Sequence, residues 1–215
     1  MEIYVKRFVQ LLLEENKKQN LISRKAGPRE IEQHIEDSLK VLEWVSLTDR
    51  QVIDIGSGAG FPGLILAMAC PDSRVTLVES DLKKSTFLQN ACDTLELRNV
   101  RVIRDRIETL GHDSEHRNSY DICTSRAVAA MRVVLEYGIP LVKPEGELLL
   151  WKGSSYQQEI AESQTALKIL GGRIEEVYLY NLLQERDRAI VAVRKVRPTP
   201  QQFPRRIGAP TKMPL

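Results

Sequence analysis

Ten residues constrain this chain more than any others: Asp54-Ile55-Gly56-Ser57-Gly58-Ala59-Gly60-Phe61-Pro62-Gly63, directly after the apolar start of a run at Val52. Glycines let a chain turn sharply and bring bare backbone against a ligand, and Pro62 pre-sets the dihedral of a first helical turn. A strand, a glycine turn and a helix in that order belong to an open α/β sheet. There the turn sits at the carboxyl end of the strand, beside the point where ligands bind.

The rest of the chain agrees with that architecture. Strand-like runs at Val52 to Ile55, Val75 to Glu79, Val100 to Arg104, Tyr120 to Thr124 and Leu148 to Trp151 alternate with helical segments near 62–70, 82–96, 128–139 and 156–170. Asp81 is a suitable N-cap for the second of these helices. Right-handed crossovers between such strands give a parallel sheet covered on both faces. The alternation stops at Ile174 to Leu182 and Ala189 to Val196, two β-rich runs joined by a short charged loop, which read as a closing hairpin with one antiparallel strand. Before any strand, residues 2–18 carry apolar side chains at helical spacing (Ile3, Val5, Phe8, Val9, Leu12, Leu13). A second helix, opened by Pro28, follows with Ile31, Ile35, Leu39, Leu42 and Trp44 or Val45.

With 215 residues, 42% of them apolar, the chain can bury one sizeable core. We expect a helical extension at 1–46, a central domain at 47–196 and a C-terminal arm at 197–215. No stretch approaches the roughly 18 apolar residues of a membrane span, and the start lacks the order of a secretion signal. A cytoplasmic protein is the expectation. Cys70, Cys92 and Cys123 are too widely spaced for a disulfide framework or a zinc knuckle and read as core residues. The net charge of +2 hides an asymmetry: residues 194–215 hold six Lys/Arg, no acid and five of the ten prolines. Such a segment is expected to run extended over the surface. It suits a phosphate backbone or serves as a solubilising tail, and composition leaves the two open.

Which ligand the turn holds depends on register. Gly58 to Gly63 satisfies the dinucleotide pattern G-x-G-x-x-G. In a dehydrogenase, however, the first glycine follows the strand directly, whereas here Asp54 and Gly56 come first. Asp-x-Gly-x-Gly-x-Gly is instead the turn of methyltransferases that bind S-adenosylmethionine, so Gly56 and Gly58 are assigned to that cofactor. Glu79 lies 23 residues beyond Gly56, an interval suited to an acid that accepts hydrogen bonds from ribose hydroxyls, and it supports a nucleoside without choosing between the two cofactor classes. Lys83 and Lys84 oppose the helix macrodipole and could face an anionic partner or solvent. His34 and Asp37, three apart on the second helix, could be taken for a metal or acid/base pair, but no histidine cluster accompanies them, and structural contacts are the better reading. Cys70-Pro71 marks a helix stop.

The run Gly56 to Gly63, then Leu77-Val78-Glu79-Ser80, Lys83-Lys84 and Phe87-Leu88, resembles the glucose-inhibited division protein B family, bacterial methyltransferases of guanine N7 in the 530 loop of 16S ribosomal RNA. The similarity continues through Asn20-Leu21, His34 to Leu39, Asn99-Val100, Arg106-Ile107-Glu108, Ser125-Arg126-Ala127 and Lys152-Gly153. It ends on Phe203-Pro204-Arg205-Arg206, Gly208, Pro210, Lys212 and Pro214-Leu215. Glu15 departs from it, at a place where the family favours an aromatic before Asn16. The resemblance implies a class I methyltransferase fold, with a seven-stranded, mostly parallel sheet, and a cofactor site that includes Gly56, Phe61, Ile107, Glu108 and Arg126. Arg205, Arg206 and Lys212 of the basic tail are the candidates for binding the RNA. The implied partner is 16S ribosomal RNA or the small-subunit particle, met by a monomer, with no metal and no membrane. Guanine N7 carries an in-plane lone pair, so methyl transfer to it needs no catalytic base, and no catalytic side chain is assigned. The rival expectations are a nicotinamide-dependent oxidoreductase and a non-catalytic RNA-binding module.

Overall fold

The computed structural model describes residues 2–23, 27–182 and 186–215. Two helices come first, α1 (Glu2–Asn16) and α2 (Pro28–Leu39), the second running on as a 3-10 turn at Lys40–Glu43. Pro28 stands in the first turn of α2, where its missing N–H is no loss. Strands and helices then alternate: β1 (Gln51–Ile55), α3 (Gly63–Ala69), β2 (Arg74–Val78), α4 (Leu82–Thr94), β3 (Val100–Ile103), α5 (Ile107–Leu110), β4 (Tyr120–Arg126), α6 (Met131–Gly138) and β5 (Val142–Lys152). After α7 (Tyr156–Glu162) and α8 (Gln164–Leu170) come β6 (Gly172–Leu182), β7 (Arg186–Lys195) and a last turn of helix, α9 (Ala209–Lys212).

Among the described residues the seven strands form one sheet in the order β3-β2-β1-β4-β5-β7-β6. β7 lies between β5 and β6 and is antiparallel to both, as the hairpin reading required. Part of the loop expected inside that hairpin, residues 183–185, lies outside the described residues. The two faces of the sheet carry separate cores. One packs α1, α2, α3 and α4 through Phe8, Leu12, Ile31, Leu64 and Leu88; the other packs α6 and α8 through Val134, Leu135, Leu167 and Leu170. Central strands covered on both faces explain the unbroken apolar runs Leu148 to Leu150 and Ala189 to Val193, all buried. Among the described residues no helix is long and apolar enough to cross a membrane.

The structure refines local expectations. Asp81 caps α4 by accepting from the Lys84 amide at 3.0 Å. The single helix expected over 156–170 is two, α7 and α8. At the break the buried Ser163 turns its hydroxyl back onto the Glu159 carbonyl at 2.6 Å, a bond that competes with the helix ladder. The tail is not an extended arm. Phe203 is buried in the second core, Pro210 sits in the first turn of α9, and Arg117 reaches from the body to the carbonyls of Phe203 at 2.6 Å and Thr199 at 3.0 Å. Proline excludes a helix interior, not a helix start.

Candidate functional site: a cleft at the carboxyl ends of the strands

The loop after β1 is tied to the end of β2: the amides of Gly56 and Ser57 both donate to the Val78 carbonyl, at 2.9 and 3.0 Å. Gly63 begins α3 against β1, and a Cβ there would overlap the Cβ of Asp54. Gly58 is the opposite case. It stands at φ +54 with open space where a side chain would go, bare backbone turned toward a cleft. Beneath the loop Asp54 is fully buried. Its Oδ1 accepts from Thr124 Oγ1 at 2.7 Å, and burial, against the Thr124 and Ser57 hydroxyls, pushes its pKa up to about 6.

Glu79, at the end of β2, accepts the Gly58 amide on Oε2 at 3.0 Å and the Asp81 amide on Oε1 at 2.9 Å. Those two bonds fix the carboxylate and leave each oxygen a lone pair. Across the opening, Arg126 ends β4. Its Nη1 donates to Asp37 Oδ2 at 2.8 Å and to the His34 carbonyl at 3.3 Å, and its guanidinium carbon stands 4.9 Å from the Phe61 ring centroid. Asp37 also accepts from Tyr180 Oη at 2.7 Å on its other oxygen, while its carbonyl accepts from Trp151 Nε1 at 2.8 Å. Asp37 is therefore a structural junction, in keeping with the reading of the His34 and Asp37 pair. Burial, and then the charge on Arg126, hold the His34 imidazole below its ordinary range.

Phe61 is 6% exposed, with its ring edge-on to Phe8 of α1 at 5.6 Å and tilted against His34 at 5.4 Å. The two N-terminal helices thus form the roof over the glycine loop. On the far side, α5 presents Ile107 and Glu108. The Glu108 carboxylate is turned inward: its Oε1 accepts from the Gly208 amide at 3.0 Å, from Arg106 Nη2 at 3.2 Å and from Tyr137 Oη at 3.4 Å. Burial opposes its ionisation, but the Gly208 amide and Arg106 outweigh it and hold the group below the usual carboxylate range.

These residues meet in one cleft of about 500 Å³, lined among others by Gly56, Gly58, Phe61, Glu79, Ile107, Glu108 and Arg126. All seven residues named for the cofactor come together there. A larger cavity, of about 1110 Å³, opens at the other end of the sheet, where Gln51, Arg74, Val100 and Tyr120 begin their strands. Size does not make it the site, because it contains neither the glycine loop nor the strand-end loops. The sequence did not single out Lys84, Tyr137 or Thr211 as lining the cleft. Lys84 had a signal, its place in the first turn of α4; Thr211, more than eighty residues beyond the loop after β4, had none.

The three residues named for RNA separate. Arg206 and Lys212 are exposed. Arg205 is engaged within the fold: its amide, Nε and Nη2 bond the carboxylate of the fully buried Glu136 at 2.8, 2.9 and 2.6 Å. It anchors the tail, because a buried carboxylate needs a fixed counter-charge.

Comparison with known proteins follows the same lines. The family model described as rRNA small subunit methyltransferase G matches residues 2–191. The chain is 53% identical to the ribosomal RNA small subunit methyltransferase G of Syntrophomonas wolfei over 215 residues, the whole of both chains. It is 41% identical to that of Chloroflexus aggregans over 209 residues, 97% of this chain and 88% of the relative. Among solved structures, a SAM dependent methyltransferase from Aquifex aeolicus superposes with a TM-score of 0.59 at 18% identity, covering 84% of this chain and 97% of the other. M. jannaschii TYW2 in complex with AdoMet gives 0.60 at 16%, over 80% and 78%. At those identities the structures speak for the fold, a class I methyltransferase sheet, while the sequence matches reach further: the chain belongs to the rRNA small subunit methyltransferase G family.

Proposed function

We propose that this protein transfers a methyl group from S-adenosylmethionine to N7 of a guanine in the 530 loop of 16S ribosomal RNA, acting as a cytoplasmic monomer on the RNA or the small-subunit particle. The observation that carries this reading is the convergence of the glycine loop, Glu79, the start of α5 and Arg126 on one cleft, in a chain of this family.

The donor set fits the cofactor. Glu79 offers acceptor lone pairs to ribose hydroxyls, the bare backbone at Gly58 admits close approach, and Arg126 supplies a cation for a carboxylate. When bound, S-adenosylmethionine supplies an electrophilic methyl on a sulfonium. The protein's part is to hold donor and base in line and to keep water out, which for an acceptor with a free lone pair is sufficient. A smaller cavity of about 230 Å³ adjoins the cleft through Arg126, Ala127 and Ala129 and is also lined by Lys152, Gly153 and Arg188. We assign the target base to it. Guanine N7 is hidden in the deep groove of A-form RNA, so the base must come from a loop or leave its stack. Arg206 and Lys212, both exposed, are assigned to the RNA backbone.

The test is calorimetry with S-adenosylmethionine and with the nicotinamide dinucleotide, followed by transfer of labelled methyl to small-subunit RNA and mapping of the product. Cofactor binding with 7-methylguanosine in the 530 loop is the expected result. Binding of the dinucleotide alone, or RNA retention without cofactor binding, would overturn the proposal in favour of an oxidoreductase or a binding module.

A further inference from the structure

The match to the family model ends at residue 191, and one wall of the cleft comes from beyond it. Thr211 of α9 lines the cleft beside Ile107 and Tyr137. Its Oγ1 lies 3.0 Å from Tyr137 Oη, and Tyr137 in turn donates to Glu108 Oε1 at 3.4 Å. With the tyrosine proton given to the carboxylate, the threonine hydroxyl is the donor to the tyrosine oxygen. Three residues earlier the Gly208 amide donates to that same Glu108 oxygen. The tail thus grips the carboxylate at the start of α5, the turn that closes the cleft on the β3 side.

Independent anchors fix the segment that carries these contacts. Arg205 is held by the buried Glu136 through three hydrogen bonds. His112 Nε2 lies 2.6 Å from the Pro204 carbonyl, and the Pro204 ring packs on Gly111, where a Cβ would overlap it. A segment that only solubilised the protein would need none of these bonds, and a staple for the fold alone would not reach the cleft.

We propose that the C-terminal segment from Arg205 to Lys212 is a cofactor-binding element, with Thr211 completing the wall that holds the adenosyl end of S-adenosylmethionine and the Gly208 amide holding Glu108 in that wall. The proposal rests on the reading of this cleft as the cofactor site. Glu79 takes the ribose after β2, so the neighbouring loop after β3 and the tail that grips it stand at the base of the nucleoside. Thr211 and Gly208 position that loop through Glu108, and binding at the cleft and order in the tail are therefore linked in both directions.

The full-length protein tests this. Thr211→Trp, which places bulk in the cleft, is expected to weaken S-adenosylmethionine binding at least tenfold by calorimetry. Thr211→Val, which keeps the shape and loses the hydroxyl, should weaken it about threefold, the size of one modest hydrogen bond, and Thr211→Ser should restore it. Gln201→Ala, exposed on the same tail, should bind as wild type. In steady state the KM for S-adenosylmethionine should rise in Thr211→Val while the KM for RNA holds. Hydrogen exchange of the unmodified protein gives the reciprocal reading without any variant: saturating S-adenosylmethionine should slow the amides of Gly208 to Met213. If wild type binds the cofactor, yet those amides exchange unchanged and Thr211→Val keeps wild-type affinity, the proposal is overturned and the cofactor reading stands. If wild type does not bind S-adenosylmethionine, the cofactor reading itself fails.

Discussion

Arg126 and Asp37 form a nearly buried ion pair at 2.8 Å, with side chains 14% and 6% exposed, which ties the carboxyl end of β4 to α2 across the mouth of the cleft. The same arginine assigned to the cofactor therefore also supports the roof above it. Loss of one partner from such a pair leaves a buried charge unanswered.

Arg126→Ala should lower stability by about 3 kcal/mol, the usual result of breaking a buried pair from one side, and should also weaken S-adenosylmethionine binding. Urea unfolding and calorimetry read the two effects separately. Arg126→Lys should recover only part of each, since an ammonium cannot serve Asp37, the His34 carbonyl and a ligand with one planar fork. A fully stable Arg126→Ala protein with unchanged affinity would remove both roles.

Two glycines of one loop should fail in different ways. Gly63→Ala drives a methyl into Asp54 and Leu77 and should destabilise the fold by about 2 kcal/mol or more. Gly58→Val meets no protein atom but the Gly56 carbonyl; it should leave a folded chain, strained by about 1 kcal/mol at a positive φ, that binds S-adenosylmethionine at least tenfold more weakly. Thermal unfolding together with calorimetry distinguishes them, and the reverse pattern would mean that the loop faces the other way.

Asp54 gives a pH signature. Its pKa in the folded protein, about 6, exceeds the ordinary 3.8 because of burial. The folded state therefore binds the proton more tightly than the unfolded one. Stability contributed by this group is full below about pH 4 and is lost as pH rises through 6. At pH 7 the loss amounts to about 3 kcal/mol. In Asp54→Asn the stability profile between pH 4 and 6 should lack this downward step, so that wild type minus variant falls across that window. A flat difference would show that Asp54 does not titrate there.

Arg205→Ala should unfold at lower temperature, by about 3 kcal/mol in stability, because Glu136 is left buried and unpaired. Arg206→Ala with Lys212→Ala should leave unfolding unchanged, weaken RNA binding and flatten its dependence on salt by about two phosphate contacts. Equal effects of the two changes on folding would mean that Arg206 and Lys212 are structural as well.

The parts of this molecule that were legible in the sequence are those encoded by neighbours. The turn from Asp54 to Gly63, the cap at Asp81, Pro28 in a first turn and the closing hairpin each depend on residues within one or two elements. The meeting of the residues assigned to the cofactor was legible for a related reason: a parallel sheet puts every strand-end loop on one rim, so Glu79, read from its spacing, and Ile107 and Arg126, named from the resemblance, line one cleft. What remained hidden depends on distant partners. The break at Ser163 needed the knowledge that its hydroxyl turns inward, and proline content misread the tail because Glu136 and Arg117, 69 and 86 residues from Arg205 and Phe203, hold it down. Thr211 reaches the cleft through Tyr137, 74 residues away.

The junction at Asp37 sets an order of assembly. α2 precedes the sheet, and the partners of Asp37 are Arg126, Trp151 and Tyr180, which follow it by 89, 114 and 143 residues. A chain made only as far as β5 can pack α2 on α3 through Ile31 and Ile35, but it leaves the Asp37 carboxylate without the Tyr180 hydroxyl. The junction that locks the roof of the cleft to the sheet is thus complete only once the closing hairpin is in place.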